Sequence, residues 1–231
     1  MKRGYLGLLA DSNIIEAMQK LQAANKRSAS KIIAIAASTG GTVAIEKVFH
    51  SLPANIAPIV VVQHITSGFS KIFADRLDGI CAFRVREAKQ GDILKPGLAL
   101  IAPADCHMRV IKCANGFAVQ IFVGEKIHGV MPAADILFNS VANVAGADAI
   151  GVILTGMGED GAYGIARMRN AGAKTIGQDE ATSVVYGMPR RARELGGLDY
   201  VLPLNKIAEM IMYLLIGKIP TVKGRDFDNN S

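Results

Sequence analysis

Three features of the sequence predict an α/β fold, a doubly wound, mainly parallel sheet with helices on both faces and a small antiparallel hairpin region. Apolar, β-branched runs of strand length recur at 31–37, 57–63 and 148–155, without the alternation of a half-solvated strand. Each is followed by a stretch with helical spacing. Between the second and third lies a region, 91–122, broken by Gly, Pro and Asn-Gly, which reads as short antiparallel strands joined by turns.

Taken in order, residues 13–24 place Ile14, Met18 and Leu21 on one helical face, and KRSAS at 26–30 reads as a linker. Residues 1–30 are therefore expected to be an N-terminal helix and linker, too short for a domain of ~50 residues. KIIAIAA is a strand and TVAIEKVFHSL a helix. APIVVVQ is a second strand, FSKIFADRL a helix, and AFRVREA a third, more polar strand. GDILKPG, LALIAPADCHMRVI and GFAVQIF supply the antiparallel pieces. AADILFNSVANVAG returns to helix, and DAIGVILT is the clearest strand in the chain. DGAYGIARMRNAG is a helix ending at Gly172, and AKTIGQ is a strand. Residues 189–195 form a helix with Pro in its first turn and Gly196 just past its end. DYVLPL is the last strand and NKIAEMIMYLLIG the last helix. These elements define a main domain at 31–217, and the polar residues 218–231 read as a flexible tail.

Composition narrows the function. The chain has 231 residues, half of them hydrophobic, enough to bury a substantial core. Its net charge is +6, but the basic residues are scattered and aromatics are few, so no nucleic-acid partner is expected. Cys81, Cys106 and Cys113 form no disulfide framework, which suits a reducing compartment. Cys106, His107 and Cys113 lie close enough in sequence to be ligands, but no zinc spacing repeats, and no metal is expected. His50, His107 and His128 read as surface or structural residues. Asp11 interrupts the first apolar run before signal-peptide length, and no stretch approaches the ~20 apolar residues of a membrane helix. A cytoplasmic protein without membrane insertion is expected.

In a doubly wound sheet, ligands bind beyond the carboxyl ends of the strands. Three of those ends carry reactive residues: Ser38-Thr39-Gly40-Gly41, Gln63-His64, and 155–161, TGMGEDG. Each has a bland reading. Ser38 could cap a helix, His64 could be a satisfied strand-end histidine, and Asp160 could cap the helix that follows it. Together at equivalent strand ends, Ser38, His64 and Asp160 favour the nucleophile, base and orienting acid of a serine hydrolase. Gly40 and Gly41 then allow a tight turn with room for an acyl group. A helix opening at Gly41 or Thr42 aims free N–H groups at the same place, suited to an oxyanion.

A rival pattern overlaps the third strand end. Gly156, Gly158 and Gly161 match the dinucleotide fingerprint, with Asp179 and Glu180 after the next strand as candidate ribose ligands. The fingerprint offers a positive helix N-terminus to a pyrophosphate. Glu159 and Asp160 would put two carboxylates there and repel it.

From about residue 31 to 215 the chain resembles the catalytic domain of the chemotaxis protein-glutamate methylesterases, the CheB family. The residues that carry the resemblance are ASTGG (37–41), VVQHI (61–65), FADRLD (73–78), KPGLALIAPADCHM (95–108), ILTGMGEDGA (153–162) and AGAKTIGQDEATSVVYGMP (171–189). The resemblance implies a doubly wound α/β methylesterase domain at 31–217. It implies hydrolysis of glutamyl methyl esters on cytoplasmic chemoreceptor helices, with deamidation of glutamines as a second activity and no cofactor. Ser38 matches the nucleophile, His64 the base and Asp160 the residue that orients it. Thr39 matches a residue beside the nucleophile, and the Met157 N–H an oxyanion donor. Ser183 and Tyr186 line or support the site, or pack in the core.

Two departures are visible. The glycine usual before the nucleophile turn is Ala36 or Ala37 here. A His-Arg-Pro-Ser-Val-Asp-like segment is replaced by GVMPAAD at 129–135, without the arginine and serine. The added methyl is a small change, but the altered 129–135 segment leaves a non-catalytic CheB-like binding module as an alternative to an enzyme, ahead of a dinucleotide-binding protein using Gly156, Gly158 and Gly161. The family's usual receiver domain is not among these residues, which implies constitutive activity or control by a separate phosphorylated regulator.

Overall fold

In the computed structural model, residues 31–114 and 116–217 are described. The N-terminal helix and linker expected at 1–30 and the tail expected at 218–231 lie outside the described residues. The centre of the fold is a seven-stranded sheet in the order β3-β4-β2-β1-β7-β8-β9. Its strands are β1 (Ile32–Ala37), β2 (Ile59–Gln63), β3 (Arg84–Glu87), β4 (Leu98–Ile101), β7 (Ala149–Ile153), β8 (Lys174–Gln178) and β9 (Tyr200–Leu202). Every pairing in it is parallel. A separate antiparallel hairpin joins β5 (His107–Cys113) to β6 (Gly116–Phe122).

The uninterrupted strands of the sequence are explained by burial on both faces. All six residues of β1 are buried. Ile33, Ile35 and Ala37 point into one core, and Ile32, Ala34 and Ala36 into the other. The first core is closed by α1 (Gly41–His50), α2 (Phe69–Ile80) and α6 (Leu204–Leu215). The second is closed by α3 (Ala134–Ala145), α4 (Ala162–Asn170) and α5 (Met188–Glu194), with Met108, Val110 and Val119 of the hairpin.

One expectation is corrected. LALI at 98–101 is not an antiparallel strand; it inserts as β4 between β2 and β3, parallel to both. Its four residues are all buried, as a strand covered on both faces requires. GDILKPG forms no strand either, and only Ile93 bridges to Ala118. Among the described residues, the antiparallel strands are thus β5 and β6.

The strand order places a switch point at β1. The chain leaves β1 for β2 on one side and later returns to β7 on the other. A crevice opens where flanking connections depart in opposite directions, outside the carboxyl ends of the strands. Ser38 follows β1, His64 follows β2, and 154–161 follow β7. Among the described residues, no helix is long and apolar enough to cross a membrane.

Candidate active site

The site is assembled from main-chain hydrogen bonds first. Ser38 N–H donates to the Thr155 carbonyl at 3.0 Å, and His64 N–H to the Ala37 carbonyl at 3.0 Å. These bonds continue the ladder one step past the last paired residues and draw the three strand ends together. The turn from β1 into α1 is sharp. Gly40 caps the helix with φ 79°, a left-handed conformation that a Cβ would oppose. A Cβ on Gly40 would also meet Val184 at 2.6 Å. Ser38 is not the helix cap, since Gly40 holds that place without a side-chain hydrogen bond.

His64 and Asp160 meet directly, with Nε2 at 2.8 Å from Oδ2 and side chains 13% and 3% exposed. The bond leaves Nδ1 as the ring nitrogen free to face a nucleophile. The Ser38 hydroxyl makes no side-chain hydrogen bond among the described residues; such contacts commonly tighten only when substrate fills the site. Asp160 does not cap the helix that follows it, where Gly161 is the cap. It caps α3 instead. Ala134 N–H donates to Oδ2 at 2.6 Å and Asp135 N–H to Oδ1 at 3.1 Å. These are first-turn N–H groups of a helix, and the dipole there suits a carboxylate.

Behind Asp160 lies a second acidic group. Asp135 Oδ1 accepts from Gly164 N–H at 2.6 Å, and Oδ2 lies 3.0 Å from His128 Nε2. Burial pushes the Asp135 carboxyl above its ordinary value, and neighbouring Asp160 adds to the rise. The Gly164 N–H and His128 act the other way. His128 also faces Glu159 at 3.5 Å and stacks on Tyr163. By spacing, His128, Asp135 and Asp160 could hold a cation. All four carboxylate oxygens already take N–H donors, however, so a cation there would face the positive ends of those bonds. Cys106, His107 and Cys113 form no ligand group among the described residues. His107 is fully buried, accepting from Ala133 N–H at 3.2 Å and bonding the Glu125 carbonyl at 2.9 Å.

Two of the fingerprint glycines have a packing reason, whereas Gly158, at φ 86°, has open space where a Cβ would stand. A Cβ on Gly156 would lie 2.2 Å from Met188 Sδ and 2.8 Å from Ser38 Cβ. Gly161, at φ 85°, packs against Ala134 of α3. Asp179 accepts from the Thr182 N–H and hydroxyl, closing its own turn. Thr39 is exposed beside Ser38, and the Met157 side chain stands out at 74% exposure. The Met157 N–H has no partner among the described residues.

Three supporting residues were not assigned roles from the sequence. The Gln63 amide donates to the carbonyls of Ser38 and His64, both at 2.9 Å. The Thr155 hydroxyl donates to the Thr39 carbonyl at 2.9 Å and accepts from Val185 N–H at 3.0 Å. Gln178 Oε1 accepts from Thr155 N–H at 2.9 Å. A common signal marks them: apolar strand runs, IVVVQ, VILT and KTIGQ, each end in an amide or hydroxyl. Clefts open on either side of the site. One, of about 460 Å³, includes His64, Lys126, Val130 and Met131 in its lining; the other, of about 530 Å³, includes Met157, Glu159, Tyr186 and Arg190.

Comparison with known proteins gives consistent results. The family described as CheB methylesterase matches residues 33–211. A protein-glutamate methylesterase/protein-glutamine glutaminase 2 of Dechloromonas aromatica is 49% identical over 187 residues, 81% of this chain and 52% of the relative. One from Sulfurimonas denitrificans is 46% identical over 206 residues, 89% of this chain and 58% of the relative. The chain thus spans about half the length of the curated relatives it matches. The crystal structure of the Thermotoga maritima CheB methylesterase catalytic domain superposes with a TM-score of 0.78 at 40% identity. It covers 80% of this chain and 98% of that one.

Proposed function

Because the chain belongs to the CheB methylesterase family, we propose that it is a protein-glutamate methylesterase whose nucleophile is Ser38, base His64 and orienting acid Asp160. The observation that carries this reading is the 2.8 Å His64–Asp160 pair, held beside Ser38 at the switch point of the sheet. The substrates are glutamyl methyl esters on cytoplasmic helices of chemoreceptors, with glutamine side chains as second substrates.

In this mechanism His64 takes the Ser38 hydroxyl proton on Nδ1 while Oγ attacks the ester carbonyl carbon. Asp160 holds the Nε2–H and favours the imidazolium that forms. The oxyanion is met by main-chain donors, with the Met157 N–H on one side and the Thr39–Gly40 turn on the other. The tetrahedral centre collapses, methoxide takes the proton from His64, and methanol leaves. Water then attacks the glutamyl ester of Ser38 by the same proton path, releasing the carboxylate and the serine. On a glutamine the leaving group is ammonia. A separate phosphorylated regulator is a proposed partner.

The test is methanol release from a methylated receptor cytoplasmic fragment, with Ser38→Ala in parallel. Release by the unaltered chain that falls by at least ~10³-fold in a folded Ser38→Ala variant is expected. Equal release from both overturns the assignment of the nucleophile.

A further inference from the structure

Gln63 has no chemical part in the mechanism above, yet its amide is kept at a cost. The residue ends β2 and is 2% exposed. Among the described residues, its Oε1 is buried without a hydrogen-bond partner, a deficit of about 1–3 kcal/mol. The opposite amide orientation would set that oxygen against two carbonyls, so the observed one is forced. Space around it is fully used. A Cβ on Gly41 would lie 2.2 Å from Oε1 and 2.5 Å from Ala37 Cβ. A methionine of similar length would fill the same volume with no orphaned acceptor. Packing alone therefore does not account for a glutamine here.

The sheet register shows what the amide adds. β1 and β2 run paired as far as Ala37 and Gln63. The last main-chain rung is His64 N–H to the Ala37 carbonyl. Beyond it the chain turns into α1 on one side and into a loop on the other. The Gln63 amide then spans the gap, with one donor group on the Ser38 carbonyl and the His64 carbonyl, both at 2.9 Å.

From this geometry we propose that Gln63 is a positioning residue, whose side-chain amide replaces the next rung of the ladder and fixes the separation of Ser38 from His64. The proposal rests on the reading of those two residues as nucleophile and base. A displacement of about 1 Å at such a pair costs on the order of 10²-fold in rate. Asn at this position would be too short to reach both carbonyls. Glu would present two oxygens to them and, once protonated, a single donor.

The experiment compares the full chain with Gln63→Met, Gln63→Glu and Ser38→Ala, measuring methanol release and Tm. Gln63→Met is expected to keep KM within about twofold and lose kcat on the order of 10²-fold while remaining folded. For Gln63→Glu, kcat relative to the unaltered chain is expected to rise as pH falls, because protonation returns one donor. A purely structural role does not produce that pH profile. Unchanged kcat in folded Gln63→Met overturns the proposal. Should that variant not fold, a Gln63→Glu ratio that stays flat with pH overturns it. The two failures are separable. Activity that survives Ser38→Ala removes the underlying reading, whereas an inactive Ser38→Ala beside a fully active Gln63→Met removes only the role of Gln63.

Discussion

Cys81 sits at the end of α2 and is half-buried against the first core. Burial pushes its thiol up to about 11, and the carboxylates of Glu46 and Asp78 add to the rise. The consequence for stability has a definite sign. Between pH 9 and 11 the unfolded chain gives up a proton that the folded chain keeps, so stability falls as pH rises across that window. Below it the thiol is protonated in both states and contributes no slope. Replacement by alanine should flatten the pH dependence of Tm between 9 and 11, which thermal unfolding at stepped pH would read. At neutral pH the same thiol should resist alkylation in the folded protein.

Helix packing sets the position of Asp160. α3 and α4 cross closely because Gly164 has no side chain. A Cβ there would lie 2.7 Å from Phe138 Cβ and 3.0 Å from Asp135 Oδ1. Gly164→Ala should therefore push α3 away and loosen the two N–H bonds that hold Asp160. A loss of about 1–3 kcal/mol in urea unfolding is expected, with a fall in kcat for methanol release. Stability lost without any change in kcat would separate the helix pair from the site. The same elements show what the sequence could reveal. That Ser38, His64 and Asp160 lie at neighbouring strand ends was legible, because Ser38 and His64 directly follow β1 and β2, Asp160 lies in the loop after β7, and the strand-end rule needs no partner. The parallel place of β4 was not, because the turn-rich stretch around it looks the same whether a strand pairs with its neighbour or inserts elsewhere. Nor was the part of Thr155 and Gln178, whose bond to each other, and Thr155's bonds to Thr39 and Val185, span 23 or more residues. The bland reading of Asp160 as a cap for α4 fails in the same way: besides His64, its oxygens meet the start of a helix that precedes it by some 25 residues.

At the scale of the whole molecule, the charge of +6 needs a location before it implies a partner. Arg191 is committed within the fold. It pairs with Glu159 at 3.4 Å and Glu194 at 3.3 Å and lies over the Tyr163 ring. Both arginines line the cleft beside Met157, but Arg190 is exposed and, among the described residues, has only a 3.8 Å contact to Glu194. Of the two, Arg190 has the less committed charge for an acidic receptor helix. Arg190→Glu is expected to raise KM for a receptor fragment several-fold and to leave a small methyl ester unaffected. Arg191→Glu should impair both substrates, because it breaks the Glu159–Tyr163 support. Equal effects of Arg190→Glu on the two substrates would remove it from receptor contact.

The hold on Asp160 comes from main-chain amides, whose presence does not depend on which side chains follow them. Residues 129–134 can therefore change without disarming the acid, provided the helix still starts at the same point. Three of them, Gly129, Val130 and Met131, line the cleft beside His64. The cleft lining and the amides that hold Asp160 are thus separable parts of one short segment. A set of duplicated copies could diverge in what they accept while inheriting an unaltered catalytic frame.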